Sequence, residues 1–341
     1  MEKLLSNGAG YQTVPERFIF PLEKRPGKEV NLSITLPVIN LRGGEVNGVD
    51  HNEIVQEIME AGKAFGFFQV VNHGVAEQVI NDMIVVSEDF FKMPMEDKAP
   101  YYSEDSSKTN RLLASTMYGK DGTFYWRDCL KLACYPVEEV IHEWPEKPSN
   151  LKDVLAKFIV EVRGVAMKLL KLICDALGLK EDYFEGDLSG GQVLINANYY
   201  APCPDPSLTL GLPPHCDRNL ITLLVQGIVS GLQINHKGSW IGIEPIPNAF
   251  VVNFGHQLEI ITNGVLKSVE HRAVTNSSVS RTSIATFIMP AMDSLIAPAQ
   301  PLIDENNPPL YKSFLFKDFL SVYYDVAGKR EGVLEAYKIQ S

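Results

Sequence analysis

The chain has 341 residues, 45% hydrophobic and 21% charged, enough for one or two domains with a sizeable core and too apolar for wholesale disorder. With 31 Lys and Arg against 42 Asp and Glu the formal charge is −11, and without a basic run this makes nucleic acid and anionic lipid poor partners. No apolar stretch reaches the about 18 residues of a membrane span, residues 1–7 lack the apolar core of a secretory signal, and five cysteines without a C-x-x-C pair argue against a disulfide framework or structural zinc and fit a reducing, cytoplasmic setting.

Residues 1–35 are polar, with scattered Pro and Gly, and predict a loosely held arm. Residues 36–40 read as a short strand. Asp50-x-x-Glu53 offers a capping box for a helix through Ala64. Gly66 ends it, and 67–72 read as a buried strand. A second helix is expected from Ala76 to Lys92, stopped by Pro94. Residues 95–140 are mixed and contain the aromatic cluster Phe124-Tyr125-Trp126. Apolar residues at three- and four-residue spacing, from Val154 to Leu170, predict a long amphipathic helix over 151–177, stopped at Gly178. After residue 190 the character changes. Short β-rich runs at 192–200, 219–226, 231–235, 240–244, 249–254, 271–274 and 282–288 alternate with turn residues, the pattern of a sandwich, jelly roll or barrel. Residues 312–324 look helical and aromatic. The fold class is mainly β with flanking α-helices. The organisation is an arm (1–35), a helix-rich region (36–190), a β core (191–300) and a helical C-terminal segment (301–341).

The chemistry centres on His215-Cys-Asp217. In a strand, residues i and i+2 share a face, so an imidazole and a carboxylate would project together while Cys216 points away. One more imidazole would complete a two-His, one-carboxylate set, which leaves metal positions open as in non-haem Fe(II) oxygenases. Candidates are His51, His73, His142, His236, His256 and His271. His271 opens a β run at a distance that permits a facing strand. Taken alone, H-x-D is a common chance pattern. Arg281 and Ser283 would share a face of an otherwise apolar strand, where an inward arginine needs an anionic partner. A guanidinium fork beside a hydroxyl suits a carboxylate. Asn198 and Tyr200 alternate in the same way.

These segments resemble the plant 2-oxoglutarate- and Fe(II)-dependent dioxygenases, a family with the isopenicillin N synthase-like fold. The resemblance is carried by Phe65-Gly-Phe-Phe-Gln-Val-Val-Asn-His-Gly74, Asn198-Tyr-Tyr200, Gly211-Leu-Pro-Pro-His-Cys-Asp217, Val251-Val-Asn-Phe-Gly255, Lys267-Ser-Val-Glu-His-Arg272 and Arg281-Thr-Ser283, in the family's order across residues 36–325. It implies a double-stranded β-helix (jelly-roll) core with a helical N-terminal region. It implies iron ligands His215, Asp217 and His271, and Arg281 and Ser283 on the distal carboxylate of 2-oxoglutarate, with Tyr200 and Asn198 along the co-substrate. The reaction implied is O2-dependent oxidation of a small plant specialised metabolite by a monomer: hydroxylation, or desaturation, ring closure or demethylation. Ascorbate is a candidate auxiliary. Residues 18–25 and Trp126-Arg-Asp128 lean to the hyoscyamine 6-hydroxylase branch, and so to alkaloids. The candidate pocket wall is Phe124, Tyr125, Trp126, Leu220, Phe287 and Tyr323. Two alternatives stand beside this reading: a related iron oxidase that does not consume 2-oxoglutarate, and a catalytically silent small-molecule binder.

The chain departs from the family pattern at Ala201, where a proline is usual, at Cys216, between two ligands, and at His256, which follows Asn253-Phe-Gly255 and faces either the pocket or solvent.

Overall fold

A computed structural model describes residues 4–8, 10–27, 34–42, 51–115, 122–326 and 330–339. Asp50 of the expected capping box lies outside these residues. The strands are β1 (Val38–Asn40), β2 (Phe67–Val71), β3 (Arg111–Ala114), β4 (Asp128–Tyr135), β5 (Val193–Tyr200), β6 (Leu212–His215), β7 (Ile221–Val225), β8 (Leu232–His236), β9 (Ser239–Ile243), β10 (Phe250–Phe254), β11 (His271–Ala273) and β12 (Arg281–Ile288). The main helices are α1 (His51–Ala64) and α2 (Glu77–Lys92). The single turns α3 (Met95–Lys98) and α4 (Val137–Val140) follow, and then α5 (Leu151–Leu177), α6 (His256–Ile261), α7 (Phe316–Asp325) and α8 (Arg330–Tyr337).

Two sheets face each other as a jelly roll. The major sheet has the order β1-β2-β10-β7-β12-β5-β4-β3, the minor one β6-β11-β8-β9. Only β1 and β2 pair in parallel among these strands. Alternation sorts the side chains of the major sheet. Val70, Leu130, Ile195, Leu223, Val252 and Ile284 point outward and join the largest apolar core. The apolar faces of α1, α2 and α5 cover them, α5 burying Leu155, Phe158, Ile159, Val162 and Leu169 at helical spacing. On the inner side, Phe67, Val251, Leu232, Ile234, Ile241 and Ile243 plug one end of the space between the sheets. The other end stays open as a cavity.

Strands from the helix-rich region extend the core on both flanks: β2 pairs with β10, and β4 with β5. The described part of the arm is not loosely held. Leu4, Leu5, Phe18 and Phe20 are buried, and the Leu5 and Ser6 amides donate to Asp128 Oδ1 and Oδ2 at 3.0 and 2.7 Å. Strand β6 escapes the sequence reading because it contains Pro213 and Pro214. An edge strand tolerates proline, and β6 is an edge of the minor sheet. Among the described residues no helix is long and apolar enough to cross a membrane.

Candidate metal centre and cavity

His215 ends β6 and His271 opens β11, and the two are partners across that ladder with ring centroids 4.3 Å apart. Asp217 lies past the strand end rather than within it. The local chain still turns Cys216 outward, its Sγ 3.7 Å from the Ser268 carbonyl oxygen. Burial pushes the Cys216 thiol well up.

Backbone contacts aim the two imidazoles. Nδ1 of His215 lies 2.8 Å from Pro213 O, and Nδ1 of His271 lies 3.1 Å from Val269 O. With Nδ1–H donating to these carbonyls, the lone pair falls on Nε2. The two Nε2 atoms stand 3.7 and 3.8 Å from Asp217 Oδ1. Asp217 Oδ2 is engaged elsewhere: it accepts from Thr222 Oγ1 and Asn253 Nδ2, both at 2.7 Å. Asn219 Nδ2 in turn donates to Thr222 Oγ1 at 2.9 Å. Burial, then the neighbouring His271, pull His215 below its ordinary value, which keeps the ring neutral. Burial pushes Asp217 up, but His271, His215, Asn253 and Thr222 outweigh it and hold the carboxyl below its usual range. One potential ligand atom from each residue lies within 4.8 Å of the others, and all three residues are buried. Two imidazoles and a carboxylate on one side of a cavity suit a divalent metal with open positions, Fe(II) above all.

The cavity's far end is cationic. Arg281 and Ser283 on β12 stand opposite Tyr200 and Asn198 on β5. The buried Arg281 guanidinium sits 5.1 Å from the Tyr200 ring centroid, and its Nε donates to Val229 O at 3.0 Å. Nη1 is 3.5 Å from Ser283 Oγ, and Asn198 Nδ2 is 3.4 Å from the same oxygen. Among the described residues no carboxylate forms an ion pair with Arg281, and burial lowers its pKa. Two glycines make room for this end. A Cβ on Gly231 would lie 2.9 Å from Arg281 Cδ, and one on Gly211 2.6 Å from the Tyr200 ring.

Of the expected pocket wall, Phe287 and Tyr323 line the cavity. Leu220 does not: it is fully buried in the outer core. Trp126 and Phe124 pack on Phe18, and Tyr125 on Phe20, because the docked arm supplies aromatic partners away from the cavity. His256 faces neither pocket nor solvent. It is fully buried, with its amide donating to Asp217 O at 2.8 Å and its ring edge-on to Phe319 and Tyr323. His73 is structural, with Nε2 at 2.8 Å from Asn248 O. Thr222, Asn253 and Arg127 were missed. Asn253 carried a signal, a lone amide within the apolar run Phe250–Phe254. Arg127 Nη1 donates to Asn198 Oδ1 at 3.0 Å.

Residues 191–290 match the 2OG-Fe(II) oxygenase superfamily, and residues 36–150 match the non-haem dioxygenase in morphine synthesis N-terminal family. The chain is 51% identical over 324 residues to 2'-deoxymugineic-acid 2'-dioxygenase of Hordeum vulgare, covering 95% of this chain and 94% of the relative. It is 38% identical to hyoscyamine 6-dioxygenase of Hyoscyamus niger over 96% of each chain. Among solved structures, that of JOX2 in complex with 2OG, Fe and JA superposes with a TM-score of 0.87 at 31% identity, covering 98% of this chain and 96% of that one. Likeness of this extent, on a fold that brings two histidines and an aspartate together, means that the chain belongs to the 2OG-Fe(II) oxygenase superfamily and is an Fe(II)- and 2-oxoglutarate-dependent dioxygenase of a small metabolite.

Proposed function

We propose that Nε2 of His215, Oδ1 of Asp217 and Nε2 of His271 hold the Fe(II). We also propose that Arg281 and Ser283 take the distal carboxylate of 2-oxoglutarate, with Tyr200 and Asn198 alongside. One observation carries this reading: three ligand atoms converge within 4.8 Å in a cavity that also holds a buried arginine with no carboxylate partner among the described residues. When bound, iron and 2-oxoglutarate would activate O2, one oxygen atom passing into succinate as the keto acid loses CO2 and the other oxidising the substrate. The chain's own part is placement. The Nδ1 bonds hold the imidazoles, Thr222 and Asn253 keep Asp217 turned, and the Val229 carbonyl pins Arg281. Phe67, Leu224, Phe287 and Tyr323 supply apolar wall that excludes water.

The relatives are named for 2'-deoxymugineic acid and hyoscyamine, and hydroxylation of a small specialised metabolite at a C–H held beside the metal fits this cavity. The whole donor set comes from one chain and the five cysteines are unpaired, which supports a monomer working in the cytoplasm. Metal titration with succinate measurement tests the assignment. The wild type binds a single Fe(II) and releases succinate with its substrate, which separates it from an iron oxidase that spares 2-oxoglutarate. His215→Ala and Asp217→Ala lose both properties while keeping wild-type circular dichroism. Arg281→Ala keeps Fe(II) but needs far more 2-oxoglutarate. Wild-type rates from either ligand variant would remove the proposed metal site.

A further inference from the structure

Residues paired across antiparallel strands share a face, so the inner side of the major sheet is laid out in rungs. Asn253, Thr222, Phe287 and Leu194 form the rung that meets Asp217. Two residues along, Leu224, Ala285 and Asn196 form the next, which continues into Lys131 on β4 and Arg111 on β3. Beyond it come Ser283, Asn198 and Cys129, and then Arg281 with Tyr200. The co-substrate line proposed above runs down β12 and β5. The Lys131 rung branches sideways from it, two strand spacings from β12, or about 10 Å.

Lys131 and Arg111 stand directly opposite each other. Like charges so placed on a ladder repel. Among the described residues neither makes an ion pair, and the buried Nε of Arg111 has no acceptor. Arg218, next in the chain after Asp217, adds a third positive charge acting on Lys131. Burial first, then Arg218 and Arg111, draw its pKa down to about 8. The adjoining cavity repeats the bias. Among the described residues, its lining holds Arg127, Arg218, Arg272 and Arg281, and Asp217 as the one carboxylate. Arg272 turns its guanidinium onto the Trp240 ring at 4.1 Å, and Arg281 is assigned to the co-substrate. In a chain of net charge −11, the Lys131 and Arg111 pair facing each other across the ladder costs stability unless an anion offsets it.

We propose that Lys131 and Arg111, with Arg218 beside them, form an anion subsite that takes a carboxylate of the prime substrate, so that the molecule oxidised is an organic acid. The subsite rests on the iron and 2-oxoglutarate assignment, since that assignment places the oxidised C–H beside the rung at Asp217. It is separate from the Arg281 end, and the two carboxylates do not compete.

The test is anaerobic calorimetric titration of the full-length chain loaded with Fe(II) and 2-oxoglutarate. The probes are phenylacetate, cinnamate and cyclohexanecarboxylate, each paired with its methyl ester. At least one acid should bind about tenfold or more tighter than its ester, the size expected for a charge-assisted hydrogen bond. Lys131→Gln should lose that preference and Lys131→Arg should keep it. Affinity for 2-oxoglutarate should be unchanged in both variants. Esters binding as well as acids, no acid binding, or an acid preference that survives Lys131→Gln would each overturn the subsite. Failure of the wild type to bind 2-oxoglutarate in the loading step would instead overturn the iron and co-substrate assignment.

Discussion

Asp217 divides its two oxygens between two tasks. Oδ2 is tied down by Thr222 and Asn253, which turns Oδ1 toward the imidazoles. Without those ties the carboxylate would rotate, and its most basic lone pair would no longer be aimed. Partners of this kind are commonly worth 10–100-fold in metal affinity, so Asn253→Ala should weaken Fe(II) binding by about that factor while the jelly roll persists. Anaerobic Fe(II) titration reads the change. Unaltered affinity would mean that Thr222 alone orients the carboxylate.

At the scale of elements, the arm is fastened by a group that water would treat differently. Asp128 is fully buried, takes the amides of Leu5 and Ser6, and has Lys98 nearby. Burial pushes its carboxyl up to about 6 from an ordinary 3.8, against the pull of those amides and Lys98. A raised acid binds a proton more readily when folded than when unfolded. Its contribution to stability is therefore full below about pH 4 and is lost as pH rises through 6. Asp128→Asn removes the titration and leaves one amide without its carboxylate oxygen, a cost of about 1–3 kcal/mol. The stability advantage of the wild type over Asp128→Asn should thus be largest near pH 4, shrink toward pH 6 and stay level above it, with faster exchange of the Leu5 and Ser6 amides in the variant. A gap constant from pH 4 to 7 would mean that Asp128 does not titrate in that window. The same latch explains a misreading. Phe124, Tyr125 and Trp126 are recognisable as an aromatic cluster, but their partners Phe18 and Phe20 lie a hundred residues upstream, and periodicity carries no information about a contact that distant. Local signals fared better. Helix spacing gave α5 its full span from Leu151 to Leu177, and alternation put Arg281 and Ser283 on one face. His215 and Asp217 converge as alternation requires even though the strand stops at His215, because the chain stays extended enough to turn Cys216 away. Thr222 and Arg127 were illegible because their meaning lies in what they touch.

At the scale of the molecule, the change of composition after residue 190 separates helices from strands without separating two bodies. One contiguous apolar core runs from Leu4 to Tyr337. It includes the outward side chains Ile195, Leu223 and Ile284 of the β core and the faces of α1, α2 and α5 that cover them. The loop carrying Cys216 and Asp217 is held from the C-terminal segment, Tyr323 Oη on α7 donating to the Cys216 carbonyl at 2.7 Å. A segment of residues 191–300 made alone would leave β10 and β5 without the flanking β2 and β4, and would expose a continuous apolar sheet face to water. It should therefore aggregate or lack native circular dichroism. The full chain, by contrast, should unfold in calorimetry as one transition in which Fe(II) release coincides with loss of the helices. A soluble 191–300 fragment with a native spectrum, or two resolved transitions in the full chain, would show that the β core holds its own shape. The helices would then be a cover added to a finished site rather than the other half of one core.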